Sequence, residues 1–115
     1  MKILYIENHG IFSQIVINKF LSSHEVTITP TLSEARVLIQ SIGFELLLVD
    51  YDLDDGKGEE IVKEITNLSN RPKIIAASSH NEGNRKLMEA GADAICSKMD
   101  FDQIGSVIKN ICTEN

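Results

Sequence analysis

The sequence predicts a doubly wound α/β domain: five parallel strands in the order 2-1-3-4-5, with helices packed on both faces. Three observations carry this. Five β-α units follow one another along the chain without a linker, an internal repeat or a low-complexity tract, and alternation of that kind builds a parallel sheet with right-handed crossovers. The run Glu45-Leu-Leu-Leu-Val49 has no polar alternation, as a central strand covered on both faces requires. A chain of 115 residues fits one domain, residues 1–115, and a five-stranded sheet that small favours the order 2-1-3-4-5.

Each element has its own local signal. Lys2 to Ile6 is a short β-rich run. Apolar residues at 11, 12, 15, 16, 20 and 21 then fit one broad helical face. Glu25 to Thr29 alternates, with Val26 and Ile28 on one side, and Pro30 breaks the run. Thr31-Leu-Ser-Glu34 reads as a capping box opening a second helix, with Ala35, Leu38, Ile39 and Ile42 inward and Gly43 as its stop. After the central strand comes an acidic, glycine-containing stretch, Asp50 to Gly58, and a helix carrying Ile61, Val62, Ile65 and Leu68. Arg71-Pro72 introduces a fourth strand, Lys73 to Ala77. A short helix around Asn84 to Ala90 ends at Gly91, and its Asn84, Arg85, Lys86 and Glu89 suit a solvated face. Ala92 to Ser97 is the fifth strand and Phe101 to Cys112 the last helix, with Ile104, Val107, Ile108 and Ile111 at helical spacing.

Composition removes several functions. Eleven Lys and Arg against 17 Asp and Glu give a net charge of −6, with no basic run, which argues against a contact with nucleic-acid phosphates. No apolar stretch approaches the ~20 residues that span a bilayer, and no signal-peptide core follows Met1, so no membrane contact and a cytoplasmic location are expected. Cys96 and Cys112 match no zinc spacing and read as reduced packing residues. His9, His24 and His80 share no metal-ligand spacing, and the glycines follow no nucleotide-binding pattern.

In the predicted order, strands one and three are neighbours and ligands bind at their carboxyl ends. The residues just past the strands are Glu7-Asn8, Asp50, Ser78-Ser79 and Lys98; the second strand ends in Thr29-Pro30 and adds nothing ionisable. Folding therefore gathers two carboxylates at the switch point with a lysine across from them. Carboxylate and water oxygens suit Mg²⁺. Lysine and a hydroxyl then stand ready for a phosphoryl group, whose transfer to an aspartate needs positioning and charge neutralisation rather than a strong general base.

With these residues in view, the chain resembles the receiver domains of two-component response regulators, from its first residue to about residue 112. The matching features are the pair Glu7-Asn8, Asp50 with Gly58 eight residues later, a Thr/Ser position after strand four, Gly91-Ala92-Asp93 before strand five, and Lys98. The resemblance implies a flavodoxin-like, CheY-like fold, with Asp50 as phosphoacceptor. It places Glu7, Asn8, Asp50 and the backbone carbonyl of Asp52 around Mg²⁺, with Ser78 as the hydroxyl that follows the phosphoryl group and Lys98 as the ion-pair partner. It further implies a histidine kinase or phosphotransfer protein as donor, and a downstream protein or output domain as target. A homodimer through helix four, strand five and the last helix is the implied self-contact. Such a module is not an enzyme beyond promoting its own Mg²⁺-dependent phosphorylation and dephosphorylation. With only Thr113, Glu114 and Asn115 after the last helix, no output domain is expected in this sequence.

Four positions depart from the family pattern. Asn8 stands where the second acid usually contacts the metal, and its amide brings no charge. Ile95 replaces the Tyr or Phe whose rotation reports phosphorylation. Met99 follows Lys98 where proline is common. The segment from strand four to Gly91 is about two residues short, which leaves the hydroxyl between Ser78 and Ser79; the apolar run Ile74 to Ala77 favours Ser78. Asn8 and Ile95 together motivate an alternative, a pseudo-receiver that binds partners without phosphorylation. A calcium loop starting at Asp50 fails, with Asp55 and Ile61 where glycine and glutamate are needed. An Asp-x-Asp phosphatase of the haloacid-dehalogenase type needs a larger core and a threonine or valine where Asp54 stands.

Overall fold

The apolar runs pair as the pattern requires. A computed structural model describes residues 1–112, so the expectation for Thr113 to Asn115 lies outside the described residues. The elements are β1 (Lys2–Ile6), α1 (Gly10–Phe20), β2 (Glu25–Thr29), α2 (Leu32–Ser41), β3 (Leu46–Val49), β4 (Asp52–Leu53), β5 (Gly56–Lys57), α3 (Gly58–Thr66), β6 (Lys73–Ala76), α4 (Asn81–Ala90), β7 (Ala94–Ile95) and α5 (Ile104–Cys112). The main sheet has five parallel strands in the order β2-β1-β3-β6-β7, the predicted doubly wound order. Its register sets Ile6 beside Val49 and Val49 beside Ala76, so three adjacent strands end at one level and expose their carboxyl ends on one rim.

Side chains alternate across the sheet and feed two cores. One face sends Leu4, Ile6, Leu47, Val49, Ile74 and Ala76 against α2, α3 and α4; the other sends Ile3, Tyr5, Leu46, Leu48, Ile75 and Ala77 against α1 and α5. Every residue of β3 is buried, as a strand covered on both sides must be.

Several elements differ from the sequence reading, each for a physical reason. In α1 the residues that pack inward are Phe12, Val16, Ile17 and Phe20, with Ser13 buried by hydrogen bonds from its hydroxyl to His9 O and Gly10 O. The apolar stripe is wider than the arc the sheet can cover, so Ile11 is left 82% and Ile15 58% exposed. Leu68 falls beyond α3 and is also exposed. Thr31 Oγ1 accepts the Glu34 N–H at 3.1 Å as a cap, but the Glu34 carboxylate turns instead to the Thr29 hydroxyl at 2.8 Å. Helix α2 ends at Ser41, and Ile42 is already extended, so Gly43 is not its stop.

The acidic stretch after β3 is not a plain loop. Its β4 and β5 form an antiparallel two-residue hairpin, Asp52 opposite Lys57 and Leu53 opposite Gly56. Asp55 in the turn caps α2, accepting the Leu32 N–H at 2.7 Å and the Ser33 N–H at 3.0 Å, and these bonds hold its carboxyl below the usual range. Helix α4 begins at Asn81, ahead of the expected start. The fifth strand shrinks to two residues, and Lys98–Gln103 forms a 3₁₀ turn before α5. Arg71 grips Asp93 through both terminal guanidinium nitrogens, at 3.0 and 2.8 Å, while Asp93 also accepts the Ile74 N–H at 2.8 Å. Gly-Ala-Asp is thereby tied to the base of β6, with Gly91 at φ 125° closing α4 in a conformation other residues rarely adopt.

Candidate functional site

Three of the predicted site residues meet at the carboxyl ends of β1 and β3. Lys98 reaches across the rim and places Nζ 2.6 Å from Glu7 Oε2 and 2.9 Å from Asp50 Oδ2. Glu7 is 1% and Asp50 5% exposed, so both carboxylates share one ammonium away from water. A second tie holds each acid: Glu7 Oε1 accepts the His9 N–H at 3.1 Å and Asp50 Oδ1 the Tyr51 N–H at 2.8 Å. Burial raises the Glu7 carboxyl above its ordinary value, helped by the neighbouring Asp50 charge and opposed by the Lys98 contact. The ammonium stands 5.4 Å from the centre of the Phe12 ring, an apolar floor that strengthens its attraction to the acids.

Local backbone explains why these side chains converge. Glu7 N–H pairs with Thr29 O at 2.9 Å and Asp50 N–H with Ile6 O at 3.0 Å, which extends the ladder just past each strand. Lys98 N–H is bonded to Ser78 O at 3.3 Å, which anchors the lysine to the end of β6. Gly58 is the companion of Asp50: its N–H meets Tyr51 O at 2.7 Å, and a Cβ there would stand 2.1 Å from Asp50 O. The helix α3 can pack against the Asp50 backbone only where residue 58 has no side chain.

The other predicted residues stand around this cluster. Asn8 is half-buried; its Nδ2 donates to Asp54 Oδ1 at 3.2 Å, and its Oδ1 is buried without a hydrogen-bond partner. The Asp52 side chain turns outward to an ion pair with Lys57, so only its backbone carbonyl is left for the role the resemblance assigns it. Ser78 is buried, but its hydroxyl accepts the His80 N–H at 3.2 Å and lies 2.9 Å from where a Gly83 Cβ would be, against the first turn of α4. Ser79 is exposed and borders a groove of about 770 Å³ with Asn8, Lys98 and the apolar side chains of Ile11, Ile15 and Met99.

Sequence reasoning missed Asn84. Far from solvated, it is buried and clasps the backbone of residue 78, accepting the Ser78 N–H at 2.9 Å and donating to Ser78 O at 3.0 Å. Its polarity hid it among charged neighbours; a lone amide one turn into a helix that follows a strand-end serine was the available signal. Ile95 is 45% exposed on the outer edge. Cys96 is buried with its thiol pushed up to about 11, mainly by desolvation, and both it and Cys112 are free, as expected. His9 and His80 are exposed near the rim, while His24 lies at the opposite end beside the amino terminus.

Hard oxygen donors gather here without forming a full acidic cage. Among the described residues no group of three or more His, Cys, Asp or Glu is placed to hold a metal. What the rim offers is two carboxylates and one unpaired amide oxygen, donors that suit Mg²⁺, which keeps several waters and takes one or two protein carboxylates.

A doubly wound parallel sheet with two buried acids at its switch point, bridged by a lysine from the turn after the last strand, narrows the class of domain. The comparisons give the family: a model described as "Response regulator receiver domain" matches residues 3–109, and the chain belongs to that family. Solved structures agree in fold. A receiver domain from Methanospirillum hungatei is 25% identical, with TM-score 0.82 over 95% of this chain and 90% of that one. A two-component response regulator from Clostridium difficile is 20% identical, with TM-score 0.84 over 97% and 95%. A Burkholderia pseudomallei response regulator, solved with a phosphorylated aspartic acid, calcium and citrate, is 18% identical, with TM-score 0.78 over 94% of this chain and 64% of that one. A search of the curated proteins finds none that matches. Among the described residues no helix is long and apolar enough to cross a membrane.

Proposed function

We propose that this chain is a phosphoacceptor module of a two-component relay and receives its phosphoryl group on Asp50. The observation that carries the reading is the single ammonium of Lys98 held 2.6 and 2.9 Å from two buried carboxylates that come from different strands. Transfer forms a bond from an Asp50 oxygen to phosphorus and breaks the phosphorus–nitrogen bond of a phosphohistidine donor, whose electron pair returns to the imidazole. Lys98 neutralises charge on the incoming group, and Tyr51 N–H fixes the acceptor carboxylate. Ser78, its backbone held by Asn84, is the proposed hydroxyl partner of the phosphoryl group. Glu7, Asn8 Oδ1, Asp50 and the Asp52 carbonyl would hold Mg²⁺, which when bound supplies further neutralisation of the phosphoryl oxygens. Ile11, Ile15 and Met99, exposed beside this rim, suit contact with the histidine kinase or phosphotransfer protein that brings the donor. The signal then leaves through a contact with a downstream protein or output domain.

One observation favours a second reading, the pseudo-receiver. The chain itself supplies a counter-charge to both acids through Lys98, and Asn8, an amide where the family carries an acid, spends its N–H on Asp54. Incubation with acetyl phosphate and Mg²⁺, followed by intact mass, separates the two. A gain of one phosphoryl group in the wild type, lost in Asp50→Asn, supports the acceptor; no gain leaves the scaffold.

A further inference from the structure

The ring of Tyr5 on β1 packs in the core, but its hydroxyl serves neither that packing nor the phosphoryl chemistry of the rim. Tyr5 is fully buried, and its hydroxyl has no hydrogen-bond partner among the described residues. Proteins rarely bury a hydroxyl unpaired, and such a group points to a bond made in another state of the molecule. Side chains two apart on a strand share a face, and the pairing of Glu7 N–H with Thr29 O carries the extended backbone as far as Glu7. Tyr5 therefore sits directly below Glu7. Its ring lies 6.0 Å from Phe101, which lies 6.2 Å from Phe12, the ring that floors the Lys98 ammonium. Burial first, then the charges of Glu7 and Asp50, keeps the proton firmly on the Tyr5 oxygen, so the group is a permanent donor facing an acidic pocket.

Glu7 has the complementary need. Its Oε1 has the His9 N–H, whereas its Oε2 is a buried oxygen whose close contact is the Lys98 ammonium. In the unphosphorylated pocket Lys98 serves both acids. A phosphoryl group on Asp50 adds oxygens that compete for the ammonium, and a shift of Lys98 toward them strips Glu7 Oε2 of its counter-charge.

We propose that Tyr5 is a positioning residue of the phosphoryl site: as Lys98 follows the phosphoryl group on Asp50, the Tyr5 hydroxyl donates to Glu7 Oε2 and stabilises the loaded pocket. This rests on the reading of Asp50 as acceptor and adds an internal hydrogen-bond exchange to it. It also supplies a buried response to loading in a chain whose edge residue is Ile95 rather than an aromatic.

The test uses protein labelled with ¹³C at the tyrosine ζ carbon. The sequence has two tyrosines and no tryptophan, and Tyr5→Phe assigns the Tyr5 signal by its loss. Mg²⁺ and beryllofluoride, a phosphoryl mimic, are then titrated in while ¹⁹F signals report bound fluoride. The expected result is a downfield move of the Tyr5 signal in step with binding, and binding about tenfold weaker in Tyr5→Phe, the size of a lost hydrogen bond to a charged group. A merely structural Tyr5 would not move that signal. Bound beryllofluoride with an unmoved Tyr5 signal, or equal affinity in Tyr5→Phe, overturns the inference and leaves Asp50 as acceptor. Failure of the wild type to bind beryllofluoride at all overturns the acceptor reading and this inference with it.

Discussion

The rim between β1 and β3 and the outer edge formed by β7, α4 and α5 are built to different standards. At the rim, each acid has a second tie beside Lys98, and a glycine lets α3 close on the Asp50 backbone. At the edge, β7 pairs with β6 through only two residues, a 3₁₀ turn replaces the expected start of the last helix, and Ile95 is exposed. The contrast teaches that the rim we propose as acceptor and the outer edge are held by separable sets of contacts. Buried charges tolerate no loose partner, because an unpaired one is expensive in a low dielectric; an apolar edge tolerates much variation.

The comparison breaks most sharply at Lys98. Lys98→Met leaves two buried carboxylates facing each other without a cation, and we expect a loss of about 3–5 kcal/mol of stability at neutral pH, read by urea denaturation. A midpoint equal to the wild type would show that the acids are not electrostatically locked. Gly58→Ala forces a Cβ onto Asp50 O and should cost about 1–3 kcal/mol. At the edge, Gly105 in α5 has nothing within 4 Å of an added Cβ, so Gly105→Ala should instead stabilise by about 0.5–1 kcal/mol. Equal signs for the two glycines would erase the distinction between the regions.

Smaller effects sharpen it. At the base of β6, Asp93 loses solvation, but the bonds from Arg71 and Ile74 N–H outweigh that and leave its carboxyl below the usual range. A depressed carboxyl contributes stability above its unfolded value and loses it as the pH falls through the folded one. Asp93→Asn should therefore cost about 1–2 kcal/mol near neutrality, with the difference from wild type narrowing in acid; a gap that widens in acid contradicts the assignment. Asn8→Asp puts a negative charge on the group whose oxygen lacks a partner, and should tighten Mg²⁺ by about tenfold in a calorimetric titration, roughly 1.4 kcal/mol. Unchanged affinity would place Asn8 outside the metal's reach.

Much of the fold and the heart of the site were legible in the sequence. Ile3 to Ile6, Leu46 to Val49 and Ile74 to Ala77 are apolar runs long enough to declare strands, and the residues just past them follow from the topology. Less was legible where polar backbone pairing or tertiary crowding decides. The hairpin of β4 and β5 has strands of two residues and no apolar period. Ile11 and Ile15 look inward by spacing yet find no sheet to cover them. Asn84 acts through its amide, whose partner is the backbone of Ser78 six residues earlier, and the buried Tyr5 hydroxyl has no partner among the described residues; neither leaves a periodic trace.

The central claim is that the rim is one Mg²⁺-dependent phosphoryl site centred on Asp50. The most direct test is the amide spectrum of the full chain titrated with beryllofluoride, with and without Mg²⁺. We expect saturable shifts around Glu7, Asp50, Ser78 and Lys98 that require Mg²⁺ and vanish in Asp50→Ala. Shifts that persist in Asp50→Ala, or a spectrum unmoved by both reagents, would contradict it.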